Sequence, residues 1–273
     1  KTSLNRTKCE RSMHLCVAPT FIKGDKALWA IVDLTDLKVV GVRWTKVGGP
    51  ETAERISERK LIFDKIMECN CKQVLSVAKN GWKMNYVITS SDGLRISEVY
   101  FQNKLIINNA KLVDWHVSYS GTEGFGYSDA VGCPEFSQAA VVAASEPKIS
   151  ELVQEGKTTG FVLEQSYQSE QWPMACNYNY VQRYEFYSDG RFRVAVASLG
   201  RGCGNNGTYR PVTRISFAGN QNNFGEWKTA GWQSWSTEQW RLQNEQTDYT
   251  AEGYQYKIAD AGGNGFFIEP GKG

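Results

Sequence analysis

The stretch from Trp172 to Arg214, WPMACNYNYVQRYEFYSDGRFRVAVASLGRGCGNNGTYRPVTR, constrains the fold more than any other part of the chain. Tyr178, Tyr180, Tyr184 and Phe186 fall on one parity, with Arg183 and Glu185 on the other. Ser188-Asp189-Gly190 is a turn signal, after which Phe192, Val194 and Val196 alternate with Arg191 and Arg193. Period two on both sides of an Asp-Gly turn predicts a β-hairpin with one aromatic face. The rest of the chain must supply the surface that buries that face.

At 273 residues the chain is long enough for one large all-β domain or two smaller ones. It carries 31 basic and 29 acidic residues. So balanced a charge argues against a nucleic-acid protein, whose footprint is a clear basic excess. No apolar run is long enough to cross a bilayer as a helix, so no transmembrane segment is expected. The chain begins at Lys1 without an apolar leader and reads as a processed or partial product. Seven cysteines, Cys9, Cys16, Cys69, Cys71, Cys133, Cys176 and Cys203, are disulfide candidates, and an odd count leaves at least one thiol unpaired within the chain. Together with the sequons Asn5-Arg6-Thr7 and Asn206-Gly207-Thr208, they point to an extracellular or periplasmic, secreted setting.

Residues 1–85 read as a small α+β domain. Ala27 to Leu34 and Lys38 to Trp44 form a hairpin about Thr35-Asp36-Leu37. A helix is expected from residue 51 or 52 to about 69, with Ile56, Leu61, Ile62, Ile66 and Met67 as its apolar stripe. Cys69-Asn70-Cys71 has no third sulfur or imidazole close in sequence, which favours a disulfide over a metal. Residues 86–273 read as a β-sandwich domain, with strands at Arg95 to Phe101, Lys104 to Asn108, Asp114 to Tyr119, Ser137 to Ser145 and Gly160 to Tyr167. Met84 to Thr89 forms a strand at the junction. The fold class is therefore mainly β, an antiparallel sandwich preceded by a small α+β domain. In the tail, Trp227, Trp232, Trp235 and Trp240 are candidate binding residues, for stacking on sugars or on a partner chain. The alternative is that they fill a core or cover a strand edge.

The layout resembles the copper amine oxidases, from their last small α/β domain into their large supersandwich. Trp29 to Val42 looks like that family's VVDL…KVV hairpin, and Asp92 to Ile106 is similar to the strand pair that opens its sandwich. Gly132-Cys133 stands where the family has a Gly-Cys-Asp-Cys turn. Asn177-Tyr178-Asn179-Tyr180 stands where the family has N-Y-[DE]-Y, whose first tyrosine becomes topaquinone. The resemblance therefore puts Tyr178 at the cofactor-precursor position, and implies copper on three histidines, two of them in an H-x-H strand, with an aspartate as base. Asp114 and Asp129 are the candidates for that base.

The chain departs from this pattern where the metal should be. It has two histidines, His14 and His116, both ahead of Tyr178. Gly207 and Tyr209 take the places of the H-x-H imidazoles, while Arg214 keeps the family's arginine. Neither glycine nor a neutral phenol replaces imidazole on Cu(II), so neither copper nor topaquinone is expected, and no catalytic residue is assigned. Three readings remain open. The first is a non-catalytic, amine-oxidase-like structural or binding subunit with protein partners or copies of itself. The second is a degenerate oxidase that uses Tyr178. The third is a glycan-binding module built on the tryptophans.

Overall fold

The structure is a computed structural model. It describes residues 14–46, 73–119, 127–133, 141–143, 145–169, 171–200, 202–203, 206–219, 222–229 and 231–271. The expected helix at 51–69 lies outside these residues, as do Cys9, Cys69 and Cys71. Among the described residues every regular element is a strand, and no helix is long and apolar enough to cross a membrane. The chain divides into two compact units, Lys1–Ser216 and Phe217–Gly273.

The first unit opens with a four-stranded sheet: β1 (Cys16–Val17), β2 (Thr20–Lys23), β3 (Lys26–Asp33) and β4 (Lys38–Lys46). The expected hairpin is the β3–β4 pair. Its turn is pinned by Asp33, whose carboxylate accepts from the backbone N–H of Thr35 and Asp36 at 2.9 and 3.1 Å and meets His14 Nδ1 at 2.6 Å. Such an Asx-type cap explains why an aspartate, rather than another apolar residue, ends the strand. Cross-strand pairing places Val17, Phe21, Val39, Val42 and Trp44 on one face of this sheet, each 38–60% exposed.

The sandwich follows. One sheet is formed by β5 (Leu75–Lys79), β6 (Trp82–Ile88), β7 (Leu94–Phe101), β8 (Lys104–Ser118) and β9 (Tyr127–Ser128). The other contains β10 (Val131–Gly132), β11 (Val141–Ala143), β12 (Lys148–Gln154), β13 (Lys157–Gln168), β14 (Asn179–Tyr187) and β15 (Phe192–Ser198). The last strand, β16 (Thr208–Phe217), returns to the first sheet and lies beside β8. The stretch from Trp172 to Arg214 contains the β14–β15 hairpin, paired through nine-residue β14 to β13 on its other side. Apart from the parallel β10–β11 pair, the strand pairs of known register are antiparallel.

Two sequence expectations change here. The segments at 104–108 and 114–119 form one 15-residue strand, β8. Asn108-Asn109 reads as a break, yet Ile107, Ala110 and Leu112 continue the buried face. The boundary expected between residues 85 and 86 falls inside β6, where Trp82 and Met84 already belong to the sandwich core. The division found instead lies at Ser216/Phe217.

The core interdigitates Trp82, Met84, Ile96, Ile107 and Trp115 of one sheet with Phe161, Leu163, Tyr180, Tyr184 and Phe186 of the other. Trp82 lies 5.0 Å, ring to ring, from Phe186. A polar clamp crosses this apolar layer. Gln182, fully buried on β14, accepts from the Leu94 backbone N–H at 2.8 Å and donates to the Leu94 carbonyl at 2.9 Å. Its amide also accepts from Tyr167 Oη and donates to Tyr184 Oη, which in turn donates to the carbonyls of Leu94 and Ala110. Gly93 must be glycine beside it: its φ is +67°, and a Cβ there would stand 2.4 Å from Gln182 Oε1.

The second unit is a four-stranded antiparallel sheet of β17 (Asn223–Lys228), β18 (Gly231–Ser234), β19 (Tyr256–Ala259) and β20 (Gly265–Ile268), ordered β18-β17-β19-β20. Residues 235–255 form a long irregular connection between β18 and β19.

Replacing Gln182 with Leu keeps the volume but strips partners from Leu94, Tyr167 and Tyr184. The expected loss is about 2–4 kcal/mol of unfolding free energy, against about 1 kcal/mol for Tyr184→Phe, measured by urea denaturation.

Candidate functional site: a capped tyrosine cluster

Tyr178 sits just before β14, held by a reciprocal pair: its N–H donates to Ser169 Oγ at 2.9 Å and its carbonyl accepts from the Ser169 N–H at 2.9 Å. Because side chains two apart share a strand face, Tyr178 and Tyr180 lie over one another, with centroids 5.5 Å apart and planes at 23°. Tyr180 stacks in turn on Trp115 of β8 at 3.9 Å and 12°. Tyr209, from β16, meets both tyrosines edge-on at 6.3 and 6.2 Å. Tyr119, immediately after β8, completes the cluster: its hydroxyl is 2.8 Å from Tyr178 Oη and 3.5 Å from Tyr209 Oη.

A strap lies across these hydroxyls. The Cys203 N–H donates to Tyr119 Oη at 3.2 Å, and Cys203 Sγ is 3.9 Å from Tyr178 Oη. A disulfide joins Cys203 to Cys176, two residues before Tyr178, with both cysteines exposed. A Cβ on Gly202 would stand 2.1 Å from Tyr209 Oη and 2.7 Å from Tyr119 Oη. Only glycine lets the chain approach the phenols this closely.

Burial, and next the hydrogen bond with Tyr119, push the Tyr178 phenol well above its ordinary range. Tyr209 moves the same way for the same reasons. Tyr180 is raised by burial and then by the Asp129 charge, its hydroxyl donating to Asp129 Oδ2 at 2.7 Å. Burial raises Asp129 to about 6, with the Tyr180 bond opposing and the charge of Asp114 adding. The cluster is thus a set of neutral phenols beside one carboxyl that titrates within the physiological range.

That set does not fit a three-histidine copper centre. Metals take phenolate rather than phenol, and here the phenols are held protonated. Of the two histidines, His14 is bound to Asp33 in the N-terminal sheet. His116 follows Trp115 on β8 and so lies on the opposite face from the ring stacked on Tyr180. Gly207 and Tyr209 pack against Tyr119, since a Cβ on Gly207 would stand 3.0 Å from the Tyr119 ring and 3.1 Å from the Tyr209 ring. Among the described residues, one group has metal-ligand character, His14 with Asp33 and Asp36, and its carboxylates are already engaged by backbone N–H groups and Lys38.

The structure therefore brings Tyr178, Asp129, Cys176 and Cys203 into one place, while Asp114 acts on it only through its charge. Cys16 and Cys133 are also disulfide-bonded. The four tryptophans do not share a surface. Trp227 and Trp232 meet at 5.3 Å, and Trp232 continues to Phe267 on one face of the second unit's sheet. Trp235 packs on Phe224 and Tyr256 on the other face. Trp240 is 84% exposed. The partners missed from sequence are Tyr119 and Trp115; the parity of 115, 117 and 119 along one strand was the signal for them.

Asp129 gives the site a pH signature. Its folded pKa lies above its unfolded value, so the stability it contributes is complete below about pH 4 and is lost as pH rises through about 6. That difference corresponds to a loss on the order of 3 kcal/mol. Asp129→Asn keeps an acceptor for Tyr180 and is expected to flatten the stability profile between pH 4 and 7, read by urea titration at each pH.

No protein-family model matches the chain, and no curated protein matches it. Among solved structures it is similar to a copper-containing benzylamine oxidase from Hansenula polymorpha, with TM-score 0.39 and 12% identity over 81% of this chain and 53% of that one. It is also similar to the Pichia pastoris lysyl oxidase PPLO, with TM-score 0.37 and 10% identity over 95% and 56%. A 1.23 Å structure of PPLO gives TM-score 0.40 and 11% identity over the same shares. The chain spans about half the length of each of these oxidases.

Proposed function

We propose that the chain is a non-catalytic, amine-oxidase-like sandwich that serves as a structural or binding subunit of an extracytoplasmic assembly. The observation that carries the reading is the filled tyrosine cluster. The hydroxyl at the cofactor-precursor position is hydrogen-bonded to Tyr119 and covered by the Gly202-Cys203 strap, with no imidazole in the set around it. A phenol that is protonated, stacked and capped serves packing; oxidation to a quinone needs a phenolate on a redox metal with dioxygen beside it. The exposed disulfide supports an oxidising compartment. The apolar sheet face carrying Phe21, Val42 and Trp44 supports a subunit role, since contiguous apolar surface of this kind marks interaction sites.

The test is chemical. The purified chain, incubated with Cu(II) and dioxygen, is expected to keep the intact mass of unmodified tyrosines, to stay colourless in the visible, and to release no peroxide on addition of primary amines. A quinone absorption band that appears in the wild type and is lost in Tyr178→Phe would overturn the reading in favour of a degenerate oxidase.

A further inference from the structure

A strand at the edge of a sheet presents unpaired backbone groups that take up another strand unless something prevents it. β15 closes one side of its sheet, with β14 as its strand partner and no strand on its other side among the described residues. Other long edges are guarded. β16 contains Pro211, which removes a donor, and β4 carries Lys38, Arg43 and Lys46. β15 has neither proline nor lysine. Its charged residue, Arg193, is engaged by the Glu185 carboxylate of its own hairpin at 3.3 Å.

The phase of the hairpin ladder fixes which groups point outwards. The Leu199 N–H donates to the Asn179 carbonyl at 2.8 Å and the Tyr187 N–H to the Arg191 carbonyl at 2.9 Å, so odd-numbered positions along this strand bond towards β14. Antiparallel ladders alternate, which turns the N–H and C=O of Phe192, Val194, Val196 and Ser198 to the open side. Side chains of the same residues lie on the aromatic inner face, Val194 opposite Tyr184 and Phe192 opposite Phe186, and they are partly exposed there. Ala195 and Ala197 share the reverse face with Arg193. An added strand would therefore gain backbone bonds and apolar burial from the same residues.

We infer that the β15 edge is a dimerisation seam, on which a second copy of this chain adds its own β15 antiparallel about a twofold axis at Ala195. That centre matches the phase. Val194 then faces the partner's Val196 and Phe192 faces the partner's Ser198, each pair exchanging both of its outward backbone bonds, while the two Ala195 form the close, unbonded pair between them. Alanine suits that place, where Cα atoms approach to about 4.5 Å. The charges permit it too. Arg193 faces the partner's Ala197, and the two Arg193 stand four residues apart along the seam, about 14 Å, beyond the roughly 8 Å screening length of physiological salt. The same operation on β4 about Val42 would set Lys38 against the partner's Lys46, a like-charge pair directly opposed. Self-complementarity of this kind is what an isologous interface requires. The inference rests on the subunit reading above and names the partner as the chain itself.

The test uses the full chain, by sedimentation velocity over a concentration series with hydrogen exchange read by mass spectrometry at each concentration. The expected result is a concentration-dependent dimer in which the peptide covering β15 gains protection and the peptide covering β4 does not. Ala195→Glu opposes two carboxylates across the axis, yet within its own chain it lies across from Arg183, so the monomer keeps its fold. That variant weakens the dimer by about fivefold or more, and mixing it with Ala195→Lys restores association as a heterodimer. Three results would overturn the inference: a monomer at every concentration, a dimer that Ala195→Glu leaves unchanged, or protection that falls on β4 and spares β15. A monomer that stays colourless with copper and amines would remove the seam and leave the non-catalytic reading standing, whereas a quinone band in a chain that dimerises through β15 would do the reverse.

Discussion

The side chain of Gln182 is the polar constraint on which the sandwich depends. Two sheets with aromatic inner faces can slide over one another at little cost, because apolar contact is non-directional. An amide that bonds both backbone groups of Leu94 across the gap, and is itself bonded by two tyrosines, fixes the relative position of β7 and β14. Each of those groups would cost about 1–3 kcal/mol if left buried and unpaired, so alternative registers are excluded by what they would strand. The clamp also explains the glycine at 93, where any side chain would displace the amide.

The tyrosine cluster follows from the same strand. Once Gln182 sets the position of β14, Tyr180 is brought over Trp115, and Tyr178 is carried to the sandwich end where Tyr119 and Tyr209 meet it. Four phenols in one place need partners, and most of the partners are one another and Asp129. Among the described residues the buried Trp115 Nε1 has no hydrogen-bond partner. Its indole is wholly interior and stacks on Tyr180 at 3.9 Å.

How much of this was legible depended on whether the signal was local. The β14–β15 hairpin was readable because alternation and an Asp-Gly turn sit within one short window, and the β3–β4 hairpin for the same reason. The central strands were harder: β13 buries Phe161, Val162 and Leu163 consecutively, so parity is lost where both faces are covered. Edge strand β12, with Glu151 and Gln154 among its exposed residues, shows little apolar alternation and was not identified. The site was half legible. Tyr178 and Asp129 stood out by type; the parity of 115, 117 and 119 put Tyr119 on the face of Trp115, but which phenol it meets is set by a contact spanning 59 residues. The tail tryptophans misled in a different way. Spacing in sequence grouped them, while the pleat sent Trp227 and Trp235 to opposite faces.

The strap sharpens what protects Tyr178. The phenol is only half-buried, so its own strand does not seal it. Sealing is done by the Gly202-Cys203 backbone, and that backbone is tied down by one exposed disulfide closing a 27-residue separation. Closing a loop of that length removes roughly 3–4 kcal/mol of unfolded-state freedom in the chain-entropy account. This is comparable to the whole contribution of Gln182, yet it acts at the surface rather than through the core. Core and cap are therefore separate devices with separate vulnerabilities: loss of the amide loosens the sheets, whereas loss of the disulfide uncovers the phenol and leaves the sheets clamped.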